Sequence, residues 1–214
     1  MKIERINPSE PEDKILERAA KLINKGEVIV CPTDTGYAFS ANALDTRAIA
    51  KVFALKGRAF SNPIHIAVGS IEDAENYANV TEAARYLARH YLPGALTLVL
   101  KKKESIPSLL VSGLDTIGIR IPDNKVILKL VTKAGKPLTT TSANISGKAP
   151  TYAVDEIVKQ FGEAVEKVPL ALDQGALPGR DLSTIVDLTV SPPELIRQGR
   201  ISWMDIREEL RRLS

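Results

Sequence analysis

Glu27-Val28-Ile29-Val30-Cys31, followed by Pro32-Thr33-Asp34-Thr35-Gly36-Tyr37, is the stretch on which the fold class turns. Its first five residues are nearly all apolar and too few for a helix, as in a strand covered on both faces. Pro32 is expected to stop that strand, and residues 33–37 then read as a polar turn at its carboxyl end. Upstream, Ser9-Glu10-Pro11-Glu12 has the form of a capping box. Ile15, Leu16, Ala19, Leu22 and Ile23 follow at helical spacing until Gly26. Downstream, a second helix is expected from Asp45, carrying Ile49, Val52 and Phe53 inward as far as Gly57. Further strands are expected at 63–68, 96–101, 117–121, 138–141, 184–188 and 195–197, with helices at 81–91, 126–134 and 154–161. Trp203, Ile206, Leu210 and Leu213 mark an amphipathic C-terminal helix. This interleaving predicts an α/β fold, layered around one twisted sheet, in a single domain over residues 1–214.

Composition narrows the function classes. With 214 residues, 44% hydrophobic and 26% charged, the chain can bury a sizeable core, which excludes disorder for most of it. No apolar run approaches the ~18–20 residues of a membrane span, and Met1-Lys2-Ile3-Glu4 begins no signal-peptide pattern. Cys31 is the sole cysteine, so no internal disulfide forms. With only His65 and His90 beside it, a structural zinc site is excluded too. A reducing cytoplasm is the expected compartment, with no protein-held metal and no membrane partner. A net charge of +3 is compatible with an anionic partner such as nucleotide or RNA.

Several familiar motifs are absent. No two glycines stand two positions apart, so there is no GxGxxG loop, and Gly175 to Arg180 lacks the Walker A ending. Ser142-Ala143-Asn144 resembles the SxN element of serine acyl-transferases, yet no serine has a lysine three residues on. Polar clusters at strand ends remain. Thr33 to Tyr37 offers hydroxyls and N–H groups where α/β proteins bind ligands, or is merely a turn. Lys56-Gly57-Arg58, with Asn62 behind, is a helix-end pair of cations or a polyphosphate grip. On the second of those readings, removing either exposed helix-end cation cuts turnover strongly and leaves the fold intact, at under about half a kcal/mol. His65 reads equally as a half-buried strand residue or a site residue. The hydroxyl-dense run Thr139 to Gly147 suits phosphate or ribose oxygens, or caps the next helix. Arg120, inside the apolar strand Ile117-Gly118-Ile119-Arg120-Ile121, lies in solvent or meets an anion. Lys101-Lys102-Lys103 has no interleaved aromatics to stack bases and reads as a solvated strand end.

Taken in order, these clusters resemble the YrdC/YciO family, the threonylcarbamoyl-AMP synthases of tRNA modification. The resemblance rests on Pro-Thr-Asp-Thr-x-Tyr at 32–37, Lys-x-Arg at 56–58, Pro-Gly-x-Leu-Thr at 93–97 and Gly-Ile-Arg-Ile-Pro at 118–122. Ser-Ala-Asn-x-Ser-Gly at 142–147, Ser-Thr-Ile-Val-Asp at 183–187 and Arg-x-Gly at 197–199 complete it. It covers roughly residues 15–200. It implies a YrdC-like domain, a twisted mixed β-sheet flanked by helices with a concave basic cavity.

The implied reaction joins L-threonine, bicarbonate and ATP into threonylcarbamoyl-AMP and pyrophosphate, with Mg²⁺ held mainly by the phosphates. A partner transferase then passes the threonylcarbamoyl group to tRNA. Carried over by motif, Lys56 and Arg58 are the catalytic cations, joined at the phosphates by Asn62. Ser142, Asn144, Arg197, Thr116 and Thr151 hold the nucleotide, while Thr35, His65, Arg120 and Ser183 hold threonine. The first motif continues Gly36-Tyr37-Ala38-Phe39 where the synthases have Val-Tyr-Gly-Leu, closer to the YciO branch. Ala38 adds a Cβ where a close approach or positive φ is expected. Two alternatives stand beside the synthase: a YciO-like protein binding double-stranded RNA or tRNA, and a nucleotide-binding regulatory subunit without synthase activity.

Overall fold

The computed structural model describes residues 1–179 and 182–213; Arg180, Asp181 and Ser214, and with them the end of the Gly175–Arg180 stretch, lie outside the described residues. The apolar run forms β2 (Ile29–Thr33), buried at every position. Its side chains alternate between two cores, as a strand covered on both faces requires. Ile29 and Cys31 join Leu16, Ile23, Val126 and Leu130, whereas Val30 joins Phe39, Ile49 and Ala171.

Pro32 does not stop the strand. β2 continues to Thr33, turns at Asp34-Thr35, and returns antiparallel as β3 (Gly36–Ser40), with Pro32 opposite Tyr37. Proline is tolerated because the parallel neighbour on the other side, β9 (Leu170–Asp173), registers with β2 only at Val30. Ala38 lies in this regular strand, between Cys31 and Ser142, and needs no positive φ.

Two mixed sheets replace the single one expected. The first has the order β1 (Lys2–Arg5), β9, β2, β3, β8 (Thr141–Ser142). The second runs β11 (Glu194–Arg197), β10 (Thr184–Asp187), β5 (Leu96–Lys101), β6 (Thr116–Arg120), β4 (Ile66–Ala67), β7 (Leu138–Thr139). The strand expected at 138–141 therefore breaks at Thr140. Its first half pairs with β4 and its second with β3. Thr139 stitches the seam: its N–H donates to Ala41 O at 2.9 Å. Its hydroxyl accepts from Ala41 N at 3.0 Å and donates to Phe39 O at 3.2 Å.

Helices cover the sheets. α1 (Asp13–Asn24) and α5 (Lys125–Ala134) pack together over one face of β2. α1 starts later than the expected box at Ser9, because Asn7 Oδ1 accepts from Ser9 N and Glu10 N and closes an Asx turn first. α2 (Thr46–Lys56) is capped by Asp45 as its sequence predicts. α3 (Ile71–Ala74), α4 (Glu82–Tyr91), α6 (Val154–Phe161) and α7 (Trp203–Leu213) complete the set, with α7 against α4. The strand expected at 63–68 shrinks to β4, since Ile64 N–H donates to Leu110 O outside the sheets. Among the described residues no helix is long and apolar enough to cross a membrane.

Thr139→Val keeps the shape and deletes the stitching hydroxyl, leaving Ala41 N–H without that partner. Urea unfolding should show a loss of about 1–3 kcal/mol; a loss below about half a kcal/mol would mean that the seam is held by packing alone.

Candidate active site

The cleft opens where the two sheets meet. Sheet one and its β2–β3 turn supply Thr33, Thr35, Tyr37 and Ser142, and sheet two, with the residue just before β10, supplies Arg120, Ser183, Ile185 and Arg197. Arg58 and His65, from the chain between α2 and β4, complete the wall. Three arginines line it, and among the described lining residues there is no carboxylate.

Local sequence explains how each group is aimed. Arg120 alternates with Ile119 and Ile121, so it leaves the apolar face and enters the cleft. The anion it meets is the protein's own. Its guanidinium donates to Asp34 Oδ1 and Thr35 Oγ1, both at 2.6 Å. Arg197 donates from Nε and Nη2 to Ser183 O at 3.2 and 2.9 Å, and from Nη2 to Ser183 Oγ at 3.1 Å. Gly199 makes that grip possible, because a Cβ there would stand 2.1 Å from Leu182 O and 2.5 Å from Thr184 N. Gly118 serves His65 in the same way: a Cβ on it would lie 2.8 Å from the His65 Cβ. Arg58 is pinned by Asn62 O at 3.0 Å and Pro63 O at 2.9 Å.

Lys56 is a correction. It is 2% exposed, not a solvated helix-end cation, and it stands behind the wall. Its ammonium donates to Ser142 O, to Asn144 O at 2.9 Å and to Asn144 Oδ1 at 3.0 Å. Three acceptors match its three N–H bonds. The Asn144 side chain is likewise turned into the loop, its amide donating to Ile145 O and Lys148 O. Thr151 donates to Ala143 O at 3.1 Å. Lys56, Asn144 and Thr151 thus hold the 142–148 loop, while Ser142 itself reaches the cleft. Asn62 is exposed and outside the lining, and Thr116 opens β6 at the end away from Arg120. Pattern reading took Asp34 for a turn former and quoted Thr97 only as the end of the Pro-Gly-x-Leu-Thr motif, without a role; its hydroxyl lies 2.9 Å from Ser183 Oγ. Thr97 was detectable as the one polar residue in the apolar strand Leu96–Leu100.

Burial depresses the basic groups. It pushes the His65 imidazole down to about 3, helped by Arg120, Arg197, Arg58 and Lys56, so the ring is neutral. Lys56 is pushed down to about 7, first by burial and then by Arg58. Burial also lowers Arg58, Arg120 and Arg197, which remain cations. Among the described residues no three His, Cys, Asp or Glu side chains converge as a metal site, and Asp34 is taken by Arg120.

The Sua5/YciO/YrdC family model, described as "Telomere recombination", matches residues 21–199. The chain belongs to the Sua5/YciO/YrdC family. A relative from Methanocaldococcus jannaschii, named provisionally as a threonylcarbamoyl-AMP synthase, is 42% identical over 94% of this chain and 93% of its own length. The structure of Pyrococcus abyssi Sua5 complexed with L-threonine superposes with a TM-score of 0.92 at 34% identity. It matches 98% of this chain, which spans only 61% of that longer one. Escherichia coli YciO, 27% identical, has a TM-score of 0.83 over 92% of this chain and 95% of its own.

Two outcomes test this geometry. Lys56→Ala removes a buried stem and leaves inward-facing oxygens unpaired, so it should lower stability by about 2 kcal/mol or more, against about 1 for Arg58→Ala. Equal melting temperatures would place Lys56 in solvent. For His65, the free imidazole near 6.5 takes up a proton on unfolding. Its stabilising contribution is therefore complete above about pH 6.5 and lost as pH falls toward 3. NMR should show its ring shifts constant from pH 8 to pH 5; a midpoint near 6.5 would contradict a desolvated ring among the cleft's cations.

Proposed function

We propose that this chain is an L-threonylcarbamoyladenylate synthase. It condenses L-threonine, bicarbonate and ATP to threonylcarbamoyl-AMP and pyrophosphate, for a transferase that modifies tRNA. The single observation that carries the reading is the uneven charge of the cleft. Arg120 is half-neutralised by Asp34, whereas Arg58 and Arg197 contact only carbonyl and hydroxyl oxygens. A polyphosphate is drawn to the two uncompensated guanidiniums. A single carboxylate suits the remaining N–H bonds of Arg120. Strands β6 and β11 are three positions apart, about 14 Å at ~4.8 Å per strand, which leaves room for both. The names of the relatives and the threonine in Pyrococcus abyssi Sua5 support the same assignment.

The chemistry asks for positioning more than for acid and base. Threonine's amine and bicarbonate give the N-carboxylate and water. A carboxylate oxygen of that carbamate then attacks the α-phosphorus as the bond to the β-phosphate oxygen breaks, and pyrophosphate leaves. Arg58 and Arg197 offset charge on the phosphates, and Arg120 with Thr35 fixes the amino-acid carboxylate. Neutral His65 has one donor and one acceptor to set the carbamate without adding a further cation. Ser142 lies within the lining to meet the nucleotide, and Lys56 keeps the loop of Ser142 in place. Mg²⁺ enters with the ATP phosphates, and no step runs through a metal held by the chain.

Pyrophosphate release should require threonine and bicarbonate together. Release indifferent to threonine would reject the reading, and RNA retention that falls steeply with salt, without any release, would replace it with the RNA-binding alternative. Arg120→Leu should raise the apparent KM for threonine about 10- to 100-fold with a much smaller change for ATP, and Arg58→Ala should do the reverse.

A further inference from the structure

A second cavity lies at the opposite end of β2 from the cleft. It measures about 280 Å³ against about 250 Å³ for the cleft, so it suits a ligand smaller than a drug-sized one. Val28, just before β2, lines this cavity, whereas Thr33 at the far end of β2 lines the cleft. Five residues of extended chain put about 17 Å between them. One wall is α2, with Lys51, Ala54 and Leu55. The other is the 3-10 turn Gly162–Lys167, which follows α6 and supplies Ala164 and Lys167.

The lining is apolar apart from three charged groups, and those do not balance. Lys51 donates to Glu27 Oε2 and to Gly26 O, both at 2.9 Å, so its charge is answered and one N–H remains. Lys167 makes no ion pair among the described residues. One uncompensated ammonium over a floor of Val28, Ala54, Leu55 and Ala164 matches a ligand with one negative charge and a short apolar body. A phosphate would bring more charge and more acceptors than these aliphatic walls can satisfy.

Both walls also reach the loop that carries Ser142 to the cleft. From α2, Lys56, next to Leu55, donates to Ser142 O and Asn144 O. From α6, Gln160 accepts from Ile145 N at 2.6 Å and donates to Ala149 O at 3.4 Å. A ligand seated between α2 and the 3-10 turn therefore braces the two elements that hold residues 142–149. We propose that this cavity is an effector site for a small apolar monocarboxylate, whose binding tightens the hold of the cleft on nucleotide. The coupling rests on the synthase reading above, which puts the nucleotide at Ser142. By linkage, nucleotide tightens the carboxylate by the same factor.

The test is calorimetric titration of the full chain with hexanoate. Wild type should bind it with a Kd of about 1 mM or tighter, and neutral hexanol at least about tenfold more weakly. Saturating hexanoate should tighten the binding of an ATP analogue by about fivefold. Ala164→Leu fills the cavity and Lys167→Met removes its free charge. Both positions are exposed, so each variant should melt like wild type and keep its ATP-analogue affinity when hexanoate is absent. Each should lose the response to hexanoate. Absence of hexanoate binding, undiminished binding by Lys167→Met, or a change in ATP-analogue affinity below about twofold overturns this inference alone. Wild type that binds no ATP analogue overturns the synthase reading and the coupling with it. If Ala164→Leu fails to fold, Lys167→Met alone decides.

Discussion

The passage of one segment from sheet to sheet governs the architecture. At Leu138–Thr139 the chain belongs to the sheet that carries Arg120 and Ser183, and two residues later, at Thr141–Ser142, it edges the sheet that carries Thr35 and Tyr37. Thr139 ties the crossing through its own backbone N–H and hydroxyl, with Ala41 and Phe39 as partners. A hydrophobic interface alone would let two sheets slide. Directional bonds at the seam set the distance between their edges, and hence the width of the cleft that lies there. Tyr37 secures the same edge from below: its hydroxyl lies 2.7 Å from Gly175 O and accepts from Gln174 N at 3.1 Å.

Around this seam the protein concentrates positive charge in a partly desolvated space and meets it with few anions. Each cation is answered differently. Arg120 has a carboxylate, Arg58 and Arg197 have neutral oxygens, and Lys56 has three oxygens of the loop it holds. Cations satisfied by neutral acceptors keep their field, so the cleft stays attractive to an anion without losing hydrogen bonds when empty. The same field, together with burial, keeps His65 uncharged. A protonated imidazole beside three guanidiniums would add repulsion and no useful donor.

Particular residues show how legible the site was. Arg120 betrayed itself as a charge inside an apolar alternation, and the Arg-x-Gly motif had a steric meaning that the backbone of residues 182–184 makes plain. Lys56 misled, because a lysine at a helix end beside glycine has the same local signature whether its stem runs into solvent or beneath a loop 86 residues away. Asn144 and Thr151 were both expected at the nucleotide, but their side chains bond the backbone of the loop instead, a choice of rotamer that spacing does not encode. Pro32 misled in another way: a proline ends a strand only where a neighbour needs its N–H, and the reach of that neighbour, β9, is a tertiary matter.

Read alone, the amino-acid sequence determined the class of fold, most of the helices, the Asp45 cap of α2, the two-faced burial of residues 29–31, and the ordered motifs that mark the family. Those are local properties, carried by periodicity and by residue types at fixed offsets. Tertiary structure alone decided that there are two sheets, that residues 138–142 bridge them, and that Asp34 belongs to Arg120. Each of these depends on which distant strand edges meet, and strand pairing is set by the packing of whole layers, which no window of neighbouring residues contains.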